Sequence, residues 1–206
     1  FEGGWELIKL YFMVGLPTET KEDVDAKVDL AQRILRLGRE IAGPRVRVTL
    51  SASTFVPKVF TPFQWCGMAS AEDFAAKQER IARRVPKGVQ FKHHERGASW
   101  LEGVLSRADR AAAAAIEGAY RRGAVLDGWS ECFRIEAWRA SFEAAGIDAD
   151  GLATRALPTD IALPWEVIDP LIRRPWLVRE HERARLAEPR TIEPCAVDHC
   201  SGCAPF

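Results

Sequence analysis

KLYFMVGLPTET, the stretch from Lys9 to Thr20, decides the fold of this 206-residue chain. Its first half is a nearly continuous run of apolar and aromatic residues, which is typical of a strand buried on both faces of a parallel sheet. A Gly-Leu-Pro turn follows, and Thr20 stands three residues before Asp23, the spacing of a capping box. Apolar residues then recur at helical spacing from Val24 to Leu35. The stretch therefore predicts a strand, a tight loop and an amphipathic helix that ends near a glycine.

Two more strands and a second helix are predicted downstream. Residues 46–56 are rich in β-branched side chains, which favour a strand, and residues 89–93 alternate between apolar and polar. Ser70 and Asp73 repeat the capping spacing before a helix that should run to about Arg84. A strand, a helix and a strand of these lengths form a βαβ unit with parallel strands. The N-terminal part of the chain is therefore predicted to be α/β.

The composition changes after Gly97. Residues 99–123 are rich in Ala, Arg and Glu, which predicts one helix. Further helical patterns lie at 135–146, at 148–153 and at 175–186, the last of them with a proline at its first position. The C-terminal part is therefore predicted to be α-helical.

Charge and cysteine usage limit the possible classes of protein. Lys+Arg and Asp+Glu are both 29, so the net charge is zero and does not favour binding to polyanions or polycations. The basic residues, Arg107 among them, interleave with acidic ones, which favours solvated helix faces over an RNA-binding surface. We find no signal peptide and no membrane span. Five cysteines without a disulfide-type spacing indicate a reducing compartment, and we expect a cytoplasmic protein.

Three cysteines near the C-terminus are the sharpest chemical feature. Cys195, Cys200 and Cys203 lie close enough in sequence for their thiolates to reach one metal centre. Asp198, His199, an exogenous ligand or a further cysteine beyond the end would complete the site. The pattern fits an iron–sulfur cluster or a zinc ion, and a tail without metal is the third possibility.

Several short motifs, taken in their order, resemble a known family. They are the GLP-x-x-T pattern of residues 15–20, Phe55–Lys58, Thr61–Trp65, Leu105–Arg110, Asp127–Glu131 and the Cys-rich end. In this order they resemble the C-terminal part of radical S-adenosylmethionine (radical SAM) enzymes. The likeness is to an uncharacterised subfamily whose members usually carry an N-terminal cobalamin-binding-like domain.

The resemblance implies a fold and its division into domains. Residues 1–96 would be the C-terminal part of a TIM-like βα barrel, residues 97–190 an α-helical region, and residues 191–206 a Cys-rich metal-binding tail. In such barrels the loops after the strands build the active site. The aromatic loop 57–69 would then either cover a substrate or the adenosyl group, or plug the mouth of the barrel.

The resemblance also implies an activity. A [4Fe–4S] cluster, bound by a motif that would precede Phe1, would cleave S-adenosylmethionine reductively and start radical chemistry on an unknown substrate, RNA being possible. The expected partner of this chain is the N-terminal part of the same protein, which would precede Phe1. We expect the chain alone to be inactive. Cobalamin could take part. The residues expected near the adenosyl group are Met13, Gly15, Leu16, Phe55, Val56 and Pro57. No acid or base can be assigned.

A second hypothesis is that the protein is not an enzyme. The chain could be a non-catalytic scaffold, or a module that contacts RNA, with structural zinc in its tail. The His93-His94 pair at the end of the third strand is, in either case, more typical of a structural feature than of a ligand site.

Overall fold

A computed structural model describes residues 1–93 and 96–186. These residues form three strands and seven helices. In chain order they are β1 (Leu7–Val14), α1 (Lys21–Ala42), β2 (Arg47–Thr54), α2 (Ala71–Arg84), β3 (Val89–His93), α3 (Arg96–Arg107), α4 (Ala112–Arg121), α5 (Ile135–Ala144), α6 (Ala149–Thr154) and α7 (Arg174–Arg185). None of these helices is long and apolar enough to span a bilayer.

The chain divides into two compact units. The first unit comprises Phe1–Phe55 and Ala69–Ser99, and the second comprises Val56–Met68 and the chain from Trp100 onward. The proposed domain boundaries after residues 96 and 190 stay predictions.

The first unit contains an open parallel sheet in the order β1-β2-β3. β1 pairs with β2 in register from Leu7 opposite Arg47 to Val14 opposite Thr54. β2 pairs with β3, so that Leu50 lies between Leu10 and Phe91. The predicted α/β class and the parallel βαβ connections are therefore confirmed.

The helices of the first unit begin where the capping residues predicted them. The hydroxyl of Thr20 accepts a 3.2 Å hydrogen bond from the amide of Asp23. The carboxylate of Asp23 in turn accepts a hydrogen bond from the amide of Thr20. Ser70 caps α2 in the same way through the amide of Asp73. α1 ends at Gly43, where a φ of 82° suits a residue without a β-carbon. Both helix starts are thus specified locally.

One face of the sheet is covered by α1. Val24 and Val28 of α1 and Val48 and Leu50 of β2 are completely buried. These side chains form the apolar core of the first unit, because α1 packs against β2. Burying each of them fully is worth about 1.5–3 kcal/mol relative to leaving it exposed.

The opposite face of the sheet is largely polar and exposed, and we call it the open face. Strand side chains alternate between faces, so the positions of this face follow from the register. They are Leu7, Lys9, Tyr11 and Met13 on β1, Arg47, Thr49, Ser51 and Ser53 on β2, and Gln90 and Lys92 on β3. Every one of the β1 and β3 positions is solvent-exposed, so the prediction that β1 is buried on both faces was wrong, although its parallel pairing is correct.

The second unit is helical in its longer part, as predicted, but its first helix is interrupted. The pattern of residues 99–123 predicted one helix, whereas α3 ends at Arg107 and α4 begins at Ala112. Between them the carboxylate of Asp109 accepts a 2.8 Å hydrogen bond from the amide of Ala111. Aspartate competes with the helical backbone for such bonds, which explains the break.

The core of the second unit has an aromatic centre. Its fully packed members are Trp65, Leu163, Trp165 and Leu177. The indole of Trp165 donates a 2.8 Å hydrogen bond to the side-chain oxygen of Gln64. The loop 57–69 therefore contributes directly to this core.

Candidate functional site

The loop that follows β1 has a geometry that only glycine fits. Gly15 is buried and has a φ of 89°. A β-carbon at this position would lie 2.4 Å from the ring of Phe74. The backbone of Gly15 therefore packs directly against α2, at the carboxyl end of β1.

Glu19 holds this loop in place. The amide of Gly15 donates a 2.7 Å hydrogen bond to Oε2 of Glu19, and Lys77 Nζ lies 3.2 Å from the same oxygen. Lys27 Nζ lies 2.6 Å from Oε1. The Glu19 side chain is 1% exposed, so both of its oxygens find their partners inside the protein. We call Glu19, Lys27, Lys77 and Asp73 the Glu19 cluster.

Lys77 is charged in this cluster. Burial disfavours its ammonium form, but hydrogen bonds to Asp73 and Glu19 outweigh burial and raise the pKa of Lys77. Its Nζ is 2.9 Å from Asp73 Oδ2. The Glu19 cluster therefore joins the loop after β1 to α1 and α2.

Sequence reasoning missed Glu19. An acidic residue just before a helix is usually a solvated one that favours the helix dipole. Only the fold shows that two lysines, 8 and 58 residues further along, converge on this carboxylate.

The structure places four of the residues predicted to contact the adenosyl group at the carboxyl ends of β1 and β2. Met13 is 49% exposed on the open face, and Leu16 is half-buried. Gly15 is buried. Phe55 is buried as well, and its amide extends the ladder by donating to the carbonyl of Val14 at 2.9 Å. Their contact with an adenosyl group stays a prediction.

The other two predicted residues belong to the second unit. Val56 and Pro57 follow Phe55 directly in the chain, and both are buried. Their side chains therefore contribute to packing, and a role in ligand binding stays a prediction.

Metal ligands cannot be assigned within the part of the chain that the structure describes. No group of three His, Cys, Asp or Glu side chains there is placed to hold a metal ion. His93 is exposed at the end of β3, and His94 lies outside the described residues. Cys195, Cys200 and Cys203 also lie outside them, so the tail site stays a prediction.

Cys66 and His181 form a buried pair in the second unit, but they do not form a nucleophile. Nδ1 of His181 lies 2.7 Å from the carbonyl oxygen of Pro62, so this nitrogen carries a proton and donates. The sulfur of Cys66 is 3.9 Å from the same nitrogen. Burial raises the pKa of the Cys66 thiol, which keeps it protonated and unreactive.

Arg107 corrects the prediction of a solvated helix face. It is 4% exposed, and its guanidinium donates to backbone carbonyls. The acceptors are Gln64 and Cys66 in the loop 57–69 and Leu152 and Arg155 around the end of α6. Arg107 therefore fixes two irregular segments of the second unit and has no exposed charge to offer a ligand.

The open face carries the side chains that are available for binding in the first unit. Nζ of Lys9 lies 5.8 Å from the centroid of the Tyr11 ring. The hydroxyl of Ser53 donates to the carbonyl of Phe12 at 3.2 Å. Within the described strands this face contains no carboxylate, so its chemistry is cationic and hydrogen-bonding rather than that of an acid–base pair.

Comparisons with known proteins give one weak relative. The chain is 27% identical over 111 residues to Uncharacterized protein MJ0966 of Methanocaldococcus jannaschii. The match covers 52% of this chain but 22% of that protein, so the chain corresponds to about a fifth of its relative's length. No family model matches the chain. No solved structure matches it either.

Proposed function

We propose that this chain is the C-terminal part of a radical SAM enzyme, with β1 to β3 as the last strands of a TIM-like barrel. The supporting observation is the parallel order β1-β2-β3, with the Gly-Leu-Pro loop at the carboxyl end of β1. Barrel enzymes place their chemistry at that end of the strands. The proposal combines a likeness of motifs with a likeness of architecture, and it extends to a cytoplasmic location.

The two faces of the sheet support the same proposal. In a βα barrel the helices cover the outside, and the other face of each strand points into the barrel. Here α1 covers one face, and the open face carries Lys9, Ser51 and Lys92. Because the interior of a closed TIM barrel is packed with apolar side chains, these polar positions suit an incomplete barrel that leaves room for a ligand.

The described residues do not fit a [4Fe–4S] cluster, because no set of three metal-binding side chains occurs among them. The proposal therefore assigns the cluster to a preceding segment of a longer protein. When bound, the cluster would supply the electron that cleaves S-adenosylmethionine. The contribution of this chain would be to position the adenosyl group against the loop at Gly15, which the Glu19 cluster keeps rigid.

The test uses the full-length product of the gene, purified without oxygen. We expect three cysteines at intervals of three and two residues in the sequence before Phe1, iron and acid-labile sulfide in the protein, and 5′-deoxyadenosine after addition of a reductant. Stoichiometric zinc without iron, and no 5′-deoxyadenosine, would overturn the proposal and favour the scaffold.

We also propose that the Cys-rich tail binds an auxiliary iron–sulfur cluster, and a variant of the full-length protein tests this. Changing Cys195, Cys200 and Cys203 to serine should lower the iron content, because thiolates are the ligands that iron–sulfur clusters prefer. Cleavage of S-adenosylmethionine should persist if the tail cluster is auxiliary. An unchanged iron content would refute the proposed auxiliary cluster but not the main one.

A further inference from the structure

The open face concentrates unpaired positive charge in a chain that is neutral overall. It carries Lys9 on β1, Arg47 on β2 and Lys92 on β3, one cation on each strand. None of the three forms an ion pair within residues 1–93 and 96–186. The basic residues of α2 differ, since Arg80 and Arg84, for example, both contact Asp25. The open face therefore favours an anionic ligand.

The register sets these cations apart from one another. Lys9 lies in one row with Thr49 and Gln90, and Lys92 lies in the next row with Ser51 and Tyr11. Neighbouring strands are about 4.8 Å apart and successive rows about 7 Å, so the α-carbons of the two lysines are about 12 Å apart. This distribution suits successive phosphates along a chain better than a single phosphate.

Tyr11 adds a platform for a planar group. Its side chain is 72% exposed at the centre of β1, beside Lys9. A base that stacks on an aromatic ring gains affinity whatever its sequence, and neighbouring cations hold the backbone of the strand. The hydroxyl of Ser51 lies on the same face and can donate to a phosphate or ribose oxygen, whereas that of Ser53 already donates to the carbonyl of Phe12.

We propose that the open face binds single-stranded RNA, with a base on Tyr11 and phosphates on Lys9, Arg47 and Lys92. This names the substrate class of the proposed enzyme and rests on the proposed function for its chemical meaning. RNA binding itself needs neither cofactor nor catalysis.

The experiment measures fluorescence anisotropy of a labelled oligouridine of about 12 nucleotides with the whole 206-residue chain. The salt concentration is varied from about 50 to about 200 mM. The test variant combines Lys9→Glu with Lys92→Glu. The control combines Lys21→Glu with Arg36→Glu, two exposed cations of α1 that give the same change in net charge.

We expect the test variant to bind at least tenfold more weakly and the control to stay within threefold of the parent. The slope of log K against log salt should become shallower by about 1.4 in the test variant, since two phosphate contacts are lost. Tyr11→Leu, which keeps an apolar side chain on the strand, should weaken binding at least fivefold with a nearly unchanged salt slope.

The inference is wrong if the parent chain does not bind the oligonucleotide, or if the control loses as much affinity as the test variant. It is also wrong if uridine monophosphate or a polyglutamate peptide competes as well as the RNA, because the ligand would then be a free nucleotide or an acidic protein segment. Failure here would leave the cleavage of S-adenosylmethionine untouched. If RNA binds but S-adenosylmethionine is not cleaved, the proposed enzymatic activity is wrong and the proposed RNA-binding surface is retained.

Discussion

The backbone amide of Gly15 donates a 2.7 Å hydrogen bond to the carboxylate of Glu19, four residues further along the chain. This bond closes the loop after β1 upon itself, and the same carboxylate contacts Lys27 on α1 and Lys77 on α2. One buried side chain thus fixes a strand end and two helices. Any ligand at the carboxyl end of β1 would meet a loop whose shape is already set.

Glu19→Gln should destabilise the protein by about 3 kcal/mol, because it leaves Lys27 without its charged partner and takes one of two carboxylates from Lys77. Lys27 and Lys77 are 11% and 14% exposed. The measurement is the free energy of unfolding in urea. The matched control is Glu79→Gln, which removes an exposed ion pair with Arg83 and should change that free energy by less than about 0.5 kcal/mol. Equal losses in both variants would contradict the role of the Glu19 cluster.

Gly15→Ala should cost more than alanine at another glycine with a positive φ. Gly43 has a φ of 82° and open space around it, so Gly43→Ala should cost about 1–2 kcal/mol through backbone strain alone. At Gly15 the new methyl group would also meet the ring of Phe74 at 2.4 Å, which should at least double that loss. Combining Gly15→Ala with Phe74→Leu should recover part of it. No recovery in the double variant would show that the ring is not the obstacle.

Local signals were enough to predict the first unit. The side chains of Thr20 and Ser70 cap α1 and α2 as their spacing from Asp23 and Asp73 indicated. The apolar run at β1 and the β-branched run at β2 gave the parallel pair. Each of these signals lies within a few residues of the feature it specifies, and physical reasoning from sequence is strongest there.

The features that sequence reasoning missed depend on contacts distant along the chain. The carbonyl oxygens that accept from Arg107 lie more than 40 residues away on either side, so nothing near Arg107 distinguishes it from a solvated arginine. Glu19 was missed for the same reason. The packing of Trp65 in a core was not predicted, because its neighbours Leu163 and Trp165 lie about a hundred residues further along. The whole barrel stays a proposal, since three strands leave its closure open.

Arg107→Leu should destabilise the second unit by about 3 kcal/mol. The change removes a charged donor and leaves buried carbonyls, including those of Leu152 and Cys66, without a partner. Arg121→Ala is the control, since Arg121 pairs with Glu117 on an exposed helix face and should contribute less than about 0.5 kcal/mol. The free energy of unfolding, followed by tryptophan fluorescence, compares the two. A small loss at Arg107 would mean that water can replace its bonds.

His181 should make stability depend on pH on the acid side of neutrality. Burial lowers the pKa of His181, and the nearby Arg185 acts in the same direction, while the Pro62 carbonyl and Glu182 oppose them. The folded protein therefore binds the proton more weakly than the unfolded chain, in which the pKa is about 6.5. The stabilisation is complete above that value and is lost as pH falls from it toward the lower pKa of the folded state.

The measurement that isolates His181 is the difference in free energy of unfolding between about pH 7.5 and about pH 5.5. His181→Gln should show a smaller loss over this range, because it keeps a neutral donor for the Pro62 carbonyl and cannot take up a proton. Carboxylates titrate in both proteins and cancel in the comparison. An equal loss in both, or an imidazole in the folded protein that titrates above 6.5 by NMR, would show that the ring is solvated rather than held neutral between Trp65 and Cys66.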